Sequence, residues 1–194
     1  LRGTPYFYQG QELGMKNFVR KSADDFHDIQ SIDSYKRAIE EGFSEKEALE
    51  FTNLRSRDNG RVPFAWTNEK YGGFSKVKPW LAMAYENPEV NAASQEKDKE
   101  SILNFYKKMI DFRQNSKYLD ILTYGDFEEL ASKNKTTIAY ERKLGDEKIS
   151  LYFNFSKERV KEEIHKGEII FASEDSKIED GYLSLDDFGF ALIK

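Results

Sequence analysis

One hydrophobic period replaces another near residue 117, and this change most narrows the folds that the chain can adopt. Before it, apolar residues in the segment 98–115 recur every three or four positions, which predicts an amphipathic helix. After it, short turn-separated segments predominate, and residues 148–155 alternate apolar with polar side chains, which predicts strands without helices. We therefore predict two domains, residues 1–117 and residues 118–194, the second being an antiparallel β-sandwich.

The first domain opens on TPYFYQ, residues 4–9, a short apolar and aromatic segment that Gly10 closes. Its length and β-propensity predict a strand, and its lack of alternation predicts burial on both faces, as in a parallel sheet. The residues that follow offer such a strand no partner, so we interpret residue 1 as a cut within a longer protein. We expect the aromatic side chains of this segment to be disordered, repacked or covered by a second copy through self-association.

Local signals predict two helices and a long loop in the rest of this domain. Residues 28–41 carry apolar side chains at helical spacing and are followed by Gly42. Ser44 and Glu47 have the spacing of a capping box, which predicts a second helix. Residues 57–91 form a loop in this interpretation, and a loop of this length is usually functional, so a site is first expected there.

Composition disfavours several classes of partner and chemistry. The chain has 30 Lys and Arg against 35 Asp and Glu, a balance that disfavours nucleic acid as a partner. The sequence contains no run of 18 apolar residues, so it predicts no membrane-spanning helix. Zero cysteines exclude disulfides and thiolate chemistry and agree with a cytoplasmic location. The two histidines, His27 and His165, are isolated, so we expect no metal site and no cofactor.

The long loop begins with RDNGR, residues 57–61, next to the aromatic sequence VPFAW, residues 62–66. Guanidinium groups such as those of Arg57 and Arg61 form paired hydrogen bonds with vicinal hydroxyls or carboxylates. The indole face of Trp66 suits the apolar side of a sugar ring. The alternative is a solvated charged turn with an Arg–Asp pair. Acidic residues are too numerous for spacing to nominate a catalytic pair of carboxylates.

Three motifs in one order resemble the oligo-1,6-glucosidase and α-glucosidase branch of the α-amylase-type glycoside hydrolases. Residues 3–15, GTPYFYQGQELGM, are similar to the branch's eighth barrel strand, written GTPYIYQGEEIGM. Residues 56–66, SRDNGRVPFAW, are similar to its SRDNARTPMQW, and residues 72–81 resemble its NAGFT and KPWI stretch. The resemblance implies an α+β fragment: the end of a (β/α)8 barrel, with its last strand, a helical excursion and its last helix, followed by an antiparallel β-sandwich domain.

The resemblance implies retaining hydrolysis of α-glucosidic bonds at the non-reducing end of short isomalto- or malto-oligosaccharides. In that chemistry an Asp is the nucleophile, a Glu acts as acid and then base, and a second Asp stabilises the transition state. These three carboxylates belong to motifs that the chain does not contain, so we assign no catalytic residue here. We expect the chain alone to be inactive.

The resemblance implies substrate-holding roles for five residues. Arg61 matches the arginine that binds hydroxyls of the terminal glucose. Arg57 and Asp58 are expected to organise the loop or border the aglycone side. Gln9 and Glu12 are expected to support the pocket floor, with a buried ion pair as the alternative for Glu12.

Departures from the family motif leave the specificity open. Val62 stands where the family has Thr, and Phe64 and Ala65 stand where it has Met and Gln, which removes hydrogen-bonding side chains beside Arg61. Glucosyl transfer, as in relatives of the trehalose-phosphate hydrolase or sucrose isomerase type, remains an alternative to hydrolysis. A non-catalytic carbohydrate-binding or interaction module based on the β-sandwich is an alternative of another class.

Overall fold

A computed structural model describes residues 2–83, 89–164 and 166–194 of the chain. The backbone forms two compact units, one of Tyr6–Met109 and one of Leu1–Pro5 with Ile110–Lys194. The predicted domain boundary at residue 117 stays a prediction. His165 lies outside the described residues, as does part of the predicted loop, residues 84–88.

Short polar side chains cap the first turns of several of the helices. In the described ranges the α-helices are α1 (Ile29–Glu40), α2 (Glu45–Arg55), α3 (Ala92–Lys97), α4 (Ile102–Asn115) and α5 (Leu119–Tyr124). One-turn 3-10 helices span Gln11–Leu13, Ala23–Asp25, Arg57–Arg61 and Lys70–Gly73. Asp28 caps α1, and Ser44 and Glu47 form the predicted capping box of α2. Both predicted helices are confirmed.

Residues 4–9 form no strand, and this prediction was wrong for the chain as it stands. Tyr6 is 90% exposed, whereas Phe7 packs edge-on against Tyr106 with 5.3 Å between ring centroids. The hydroxyl of Tyr8 donates a hydrogen bond to the carbonyl of Gly60. A strand needs a hydrogen-bonding neighbour, and without one the segment is extended and its aromatic rings pack individually.

The helix predicted from residue 98 begins instead at Ile102, and α3 precedes it. Asn91 caps α3 by accepting a hydrogen bond from the backbone N–H of Ser94 at 2.9 Å. Asp98 and Ser101 form the turn between α3 and α4, and the Ser101 hydroxyl oxygen accepts the N–H of Asn104. The capping hydroxyl of Ser101 therefore sets the start of α4 four residues later than periodicity predicts, and α3 is a separate helix that the pattern did not predict.

Residues 126–193 form the predicted antiparallel sandwich of two sheets. The strands are β1 (Asp126–Leu130), β2 (Thr137–Leu144), β3 (Glu147–Asn154), β4 (Val160–Glu163), β5 (Ile169–Ala172), β6 (Lys177–Glu179), β7 (Tyr182–Leu185) and β8 (Phe190–Ile193). One sheet has the order β1-β2-β3-β8-β5 and the other the order β4-β7-β6. The sequence predicts strands over residues 137–142, 148–155, 168–172 and 188–193, and each of these overlaps an observed strand.

Strand β8 connects the two apolar cores of this unit. Leu192 belongs to a core with residues of α5, including Ile121 and Leu122, whereas Ala191 and Ile193 belong to a second core with β7. Successive strand residues point to opposite faces, so α5 covers one face of the larger sheet and the smaller sheet covers the other. Strand β8 is therefore apolar on both faces.

The prediction of a helix-free second domain was wrong, because α5 lies within it. Arg142 of β2 is 1% exposed, and its guanidinium donates to the carbonyl oxygens of Leu122 and Gly125 at the end of α5. These carbonyls have no partner within the helix. A residue about twenty positions away therefore satisfies the end of α5, which a local pattern does not reveal.

No helix in the described ranges combines the length and apolarity that a bilayer crossing requires.

Candidate functional site

The charged sequence RDNGR folds into the 3-10 turn Arg57–Arg61, directly after α2 ends. The hydroxyl oxygen of Ser56 accepts the backbone N–H of Asp58 at 3.2 Å. The hydroxyl groups of Ser56 and of Ser31, in the first turn of α1, form a hydrogen bond with 2.9 Å between their oxygens. The turn is therefore attached to the start of α1 as well as to the end of α2.

Asp58 is fully buried and fixes the chain that leads into α1. Its Oδ2 accepts the backbone N–H groups of His27 and Asp28 at 2.8 and 3.0 Å. Its Oδ1 accepts no hydrogen bond from the described residues but lies 3.6 Å from Nη1 of Arg61. The carboxylate thus binds two backbone amides on one side and faces a cation on the other.

Arg61 lies beside two carboxylates. Its Nη1 is 3.6 Å from Oδ1 of Asp58 and 3.9 Å from Oδ1 of Asp28, and its side chain is 46% exposed. A guanidinium carries five N–H donors in a rigid plane, so donors remain for a ligand. The arrangement restrains the cation while leaving part of it accessible.

Asp28 carries its negative charge firmly in this environment. Burial raises the pKa of Asp28, but hydrogen bonds from Ser31 and the positive charges of Arg61 and Arg57 act in the opposite direction and together hold it below its usual value. The ionised carboxylate therefore persists at neutral pH and keeps Arg61 in place.

A cleft of about 360 Å³ opens beside Arg61. Its lining includes Gln9, Lys78, Phe74 and Trp80, so two cationic side chains and one amide stand among apolar and aromatic surfaces. This combination of aromatic walls and few polar groups is typical of small-molecule sites. It suits a polyhydroxylated ring that has one apolar face.

The indole at this cleft belongs to Trp80, which lies edge-on to His27 with 5.6 Å between ring centroids. Trp66, the indole that the sequence favours, packs on Phe64 at 4.6 Å and is not among the cleft-lining residues. Only the KPWL motif, residues 78–81, could have drawn attention to Trp80. Its approach to Arg61 depends on how the long loop folds back.

Gln9 and Glu12 take different positions. Gln9 lines the cleft beside Arg61 and also a smaller neighbouring one of about 200 Å³. Glu12 instead accepts the backbone N–H of Gly10 at 2.8 Å and forms no ion pair with a described residue. The ion-pair alternative for Glu12 is therefore not observed, and its carboxylate closes a turn in which Gly10 has a φ of +94°.

Arg57 does not join Arg61. Its Nη1 lies 3.5 Å from Oε1 of Gln30, and its side chain lines a separate cleft between α1 and α2. Of the predicted residues of this loop, Arg61 and Asp58 lie together at one site, whereas the side chain of Arg57 lines a different cavity.

Arg20 is a buried arginine that sequence reasoning missed. It is 2% exposed, its guanidinium lies over the rings of Phe18 and Phe26, and Nη1 donates to Oδ1 of Asn59 at 2.9 Å. Burial lowers its pKa, and the charges of Asp58 and Asp25 oppose this effect. Arg20 thus supports the Arg57–Arg61 turn from beneath.

Three or more potential metal ligands do not come together anywhere among the described residues. The candidate site is therefore built from one arginine, two carboxylates that restrain it and a partly aromatic cleft.

The chain is similar to known proteins over nearly its whole length. The family model described as alpha amylase, catalytic domain, matches residues 1–125. An oligo-1,6-glucosidase of Bacillus cereus is 31% identical over 186 residues, which are 93% of this chain and 33% of that protein. The chain spans about a third of the length of the curated relatives it matches.

Solved structures show the same similarity in three dimensions. A trehalose-6-phosphate hydrolase from Bacillus licheniformis superposes with a TM-score of 0.88 at 28% identity, over 99% of this chain and 36% of that chain. A mutant isomaltulose synthase from Erwinia rhapontici NX5, in complex with its natural substrate sucrose, gives 0.85 at 32% identity, over 99% of this chain and 35% of that chain. The predicted fold class, the end of a (β/α)8 barrel followed by an antiparallel β-sandwich, is confirmed.

Proposed function

Because the chain belongs to the α-amylase family, we propose that it forms the C-terminal portion of a retaining α-glucosidase that cleaves terminal α-glucosidic bonds of short oligosaccharides. Relatives named oligo-1,6-glucosidase support this substrate class, and isomalto- and malto-oligosaccharides are the proposed substrates. The lack of cysteine supports a cytoplasmic location as part of this proposal.

The observation that carries the proposal is the half-exposed guanidinium of Arg61 at the wall of a cleft that also contains Trp80. In the proposed complex, the guanidinium donates hydrogen bonds to hydroxyls of the non-reducing terminal glucose, and the indole covers an apolar part of the ring. Asp58 and Asp28 hold Arg61 in position, so little ordering is needed when the sugar binds.

The other predicted site residues have supporting roles in this proposal. Asp58 organises the loop by accepting two backbone N–H groups, and Gln9 contributes an amide side chain to the lining of the cleft. Glu12 maintains the turn at Gly10. Arg57 has no contact with the terminal glucose.

Bond cleavage itself is assigned to carboxylates of the parent enzyme. Retaining hydrolysis proceeds through a covalent glycosyl-enzyme, with one carboxylate as nucleophile and another as acid and then base. By resemblance, these carboxylates precede the residues of this chain. The role of the chain is to position the terminal glucose, and we propose that it does not hydrolyse glucosides alone.

Glucosyl transfer is the second candidate activity, because an isomaltulose synthase is among the similar solved structures. Hydrolysis and transfer share the glycosyl-enzyme and differ in the acceptor that attacks it. Analysis of the products formed by the parent enzyme in excess acceptor sugar distinguishes them, since transfer yields new disaccharides and hydrolysis yields glucose.

The test of the proposal is the kinetics of the parent enzyme on isomaltose and maltose with Arg61→Ala. Loss of charged hydrogen bonds should reduce kcat/KM by roughly 10- to 100-fold, with a higher KM and a lower kcat. Lys46→Ala, an exposed charge in the first turn of α2, is the matched control and should leave both constants unchanged. Unchanged kinetics for Arg61→Ala contradict the proposed role of the guanidinium.

A further inference from the structure

A second cleft, of about 490 Å³, lies between α1 and α2 and is lined by three arginines. Arg37 comes from α1, Arg55 from the last turn of α2, and Arg57 from the turn that follows. Within the described parts of the chain, no carboxylate lies within 4 Å of any of the three guanidinium groups. Three cations therefore line one cavity without forming ion pairs.

We propose that this arginine cleft binds an organic phosphate. Guanidinium groups bind phosphate oxygens through paired, charge-assisted hydrogen bonds, and two arginines close in sequence, Arg55 and Arg57, line the cleft. Arg37 adds positive charge from α1. The hydroxyl groups of Ser34 and Thr52 also line the cleft, and hydroxyls commonly complete phosphate sites.

The apolar part of the cleft fits the organic body of such a ligand. Phe43 and Phe51 form an edge-to-face pair with 5.4 Å between ring centroids, and both remain partly exposed at the cleft. An inorganic phosphate ion has no apolar part to pack against these two rings, whereas a ring attached to the phosphoryl group would cover them. The volume lies within the range of small-molecule pockets.

Two carboxylates also line the cleft and set the strength of binding. Asp28 is buried and already accepts hydrogen bonds from Ser31, so its charge is largely satisfied. Glu41 is exposed beyond the end of α1 and is the carboxylate that competes with a bound anion. Removal of the Glu41 charge should therefore strengthen binding.

The inference is independent of the proposed glucosidase activity, because it concerns a different cleft and is tested by binding to this chain alone. The chain is titrated with glucose 6-phosphate, inorganic phosphate and glucose while the arginine Nε–Hε resonances are followed by NMR. We expect glucose 6-phosphate to shift the resonances of Arg37, Arg55 and Arg57, and glucose to leave them unchanged. Tighter binding of glucose 6-phosphate than of inorganic phosphate supports recognition of an organic body. Equal affinities overturn that part of the proposal.

Variants assign the binding to named residues. Arg55→Ala and Arg57→Ala should each weaken binding of glucose 6-phosphate by about tenfold. Arg55→Lys should give an intermediate loss, because it keeps the charge and removes the fork. Glu41→Gln should strengthen binding roughly two- to fivefold. Far-UV circular dichroism verifies that each variant is folded.

Lys46→Ala is the control, because it removes the same charge from the same helix at a residue that does not line the cleft. Its affinity should match that of the unaltered chain. The proposal is overturned by the absence of shifts with both phosphates, by equal shifts with glucose, or by equal weakening in Lys46→Ala and Arg55→Ala. The last result would mean attraction by net charge alone.

Discussion

Asp58 and Arg61 face each other across a single turn, with 3.6 Å between Oδ1 of the carboxylate and Nη1 of the guanidinium. The carboxylate is fully buried, and its other oxygen accepts the backbone N–H groups of His27 and Asp28. Rotation of the Asp58 side chain would break both of these hydrogen bonds. The fixed Asp58 carboxylate therefore holds the Arg61 guanidinium, whose side chain is half exposed at a cleft. An arginine held in this way is preorganised for binding a ligand.

Asp58→Asn should weaken both the fold and the position of Arg61. The amide oxygen can still accept one or both backbone N–H groups, but the charge that faces Arg61 is lost. We expect the free energy of unfolding to fall by about 1–3 kcal/mol, because a buried acceptor is lost or weakened. Urea denaturation measures this change, and the Arg61 Nε–Hε resonance should become more mobile.

Asp33→Asn is the matched control, since Asp33 is an exposed carboxylate on α1. It should change the free energy of unfolding by less than about 0.5 kcal/mol. Equal effects of the two substitutions would show that Asp58 acts only through net charge.

The lowered pKa of Asp28 predicts a loss of stability in acid. Because the folded pKa lies below the usual value of 3.8, the ionised carboxylate stabilises the fold above that value. This contribution is lost as the pH falls through the folded pKa, where the carboxyl is protonated in both states. Asp28→Asn should therefore be less stable than the unaltered chain at pH 7, with the difference shrinking below pH 3.8.

Urea denaturation at several pH values checks this prediction. Other carboxylates with lowered pKa, such as Glu141 and Asp186, contribute to the acid sensitivity of both proteins and cancel in the comparison. A stability difference between Asp28→Asn and the unaltered chain that is constant with pH would exclude a contribution from the Asp28 charge.

Arg142→Met should destabilise the β-sandwich unit through the end of α5. The guanidinium of Arg142 donates to Gly125 at 3.2 and 2.6 Å and to Leu122 at 2.9 Å. Methionine fills much of the space but donates nothing to the Gly125 carbonyl, and Leu122 keeps only the donor from Arg113 at 3.2 Å. The expected loss in the free energy of unfolding is about 3 kcal/mol.

Chemical denaturation and hydrogen exchange of the α5 amides test the role of Arg142. Lys143→Met is the control, because Lys143 is the next residue of β2, its ion pair with Glu128 is exposed, and Lys148 still pairs with the buried Glu141 when Lys143 is removed. Its effect should be much smaller, and α5 exchange should be unchanged. An equal loss of stability in both variants would argue against the special role of Arg142.

The elements that the sequence predicts correctly are those with local causes. Ser44 and Glu47 are three residues apart, so the capping box of α2 is visible in the sequence and present in the structure. The sequence also predicts a turn at residues 145–146, which is equally local: Gly145 has a φ of +60° and lies between β2 and β3.

The features that sequence reasoning missed depend on distant partners. Helix α5 ends at carbonyls that Arg142 satisfies from β2, and Trp80 reaches the Arg61 cleft only after the loop folds back. The segment 4–9 has strand propensity but no neighbouring strand to pair with in this chain. In the candidate site, the pairing of Asp58 with Arg61 is local and predictable, whereas the two amides that fix Asp58 come from thirty residues upstream.

Self-association through the aromatic segment 6–8 is the last prediction. Tyr6, Phe7 and Tyr8 are 90%, 46% and 56% exposed, so three neighbouring rings form an apolar surface that water contacts. We expect the weight-average mass of the chain in light scattering to rise with concentration. Tyr6→Ser with Phe7→Ser should reduce this rise. Leu54→Ser, which removes a 74% exposed apolar residue of α2, should not. A constant mass of 22.7 kDa at all concentrations would contradict self-association, and equal effects of the variants would place the contact elsewhere.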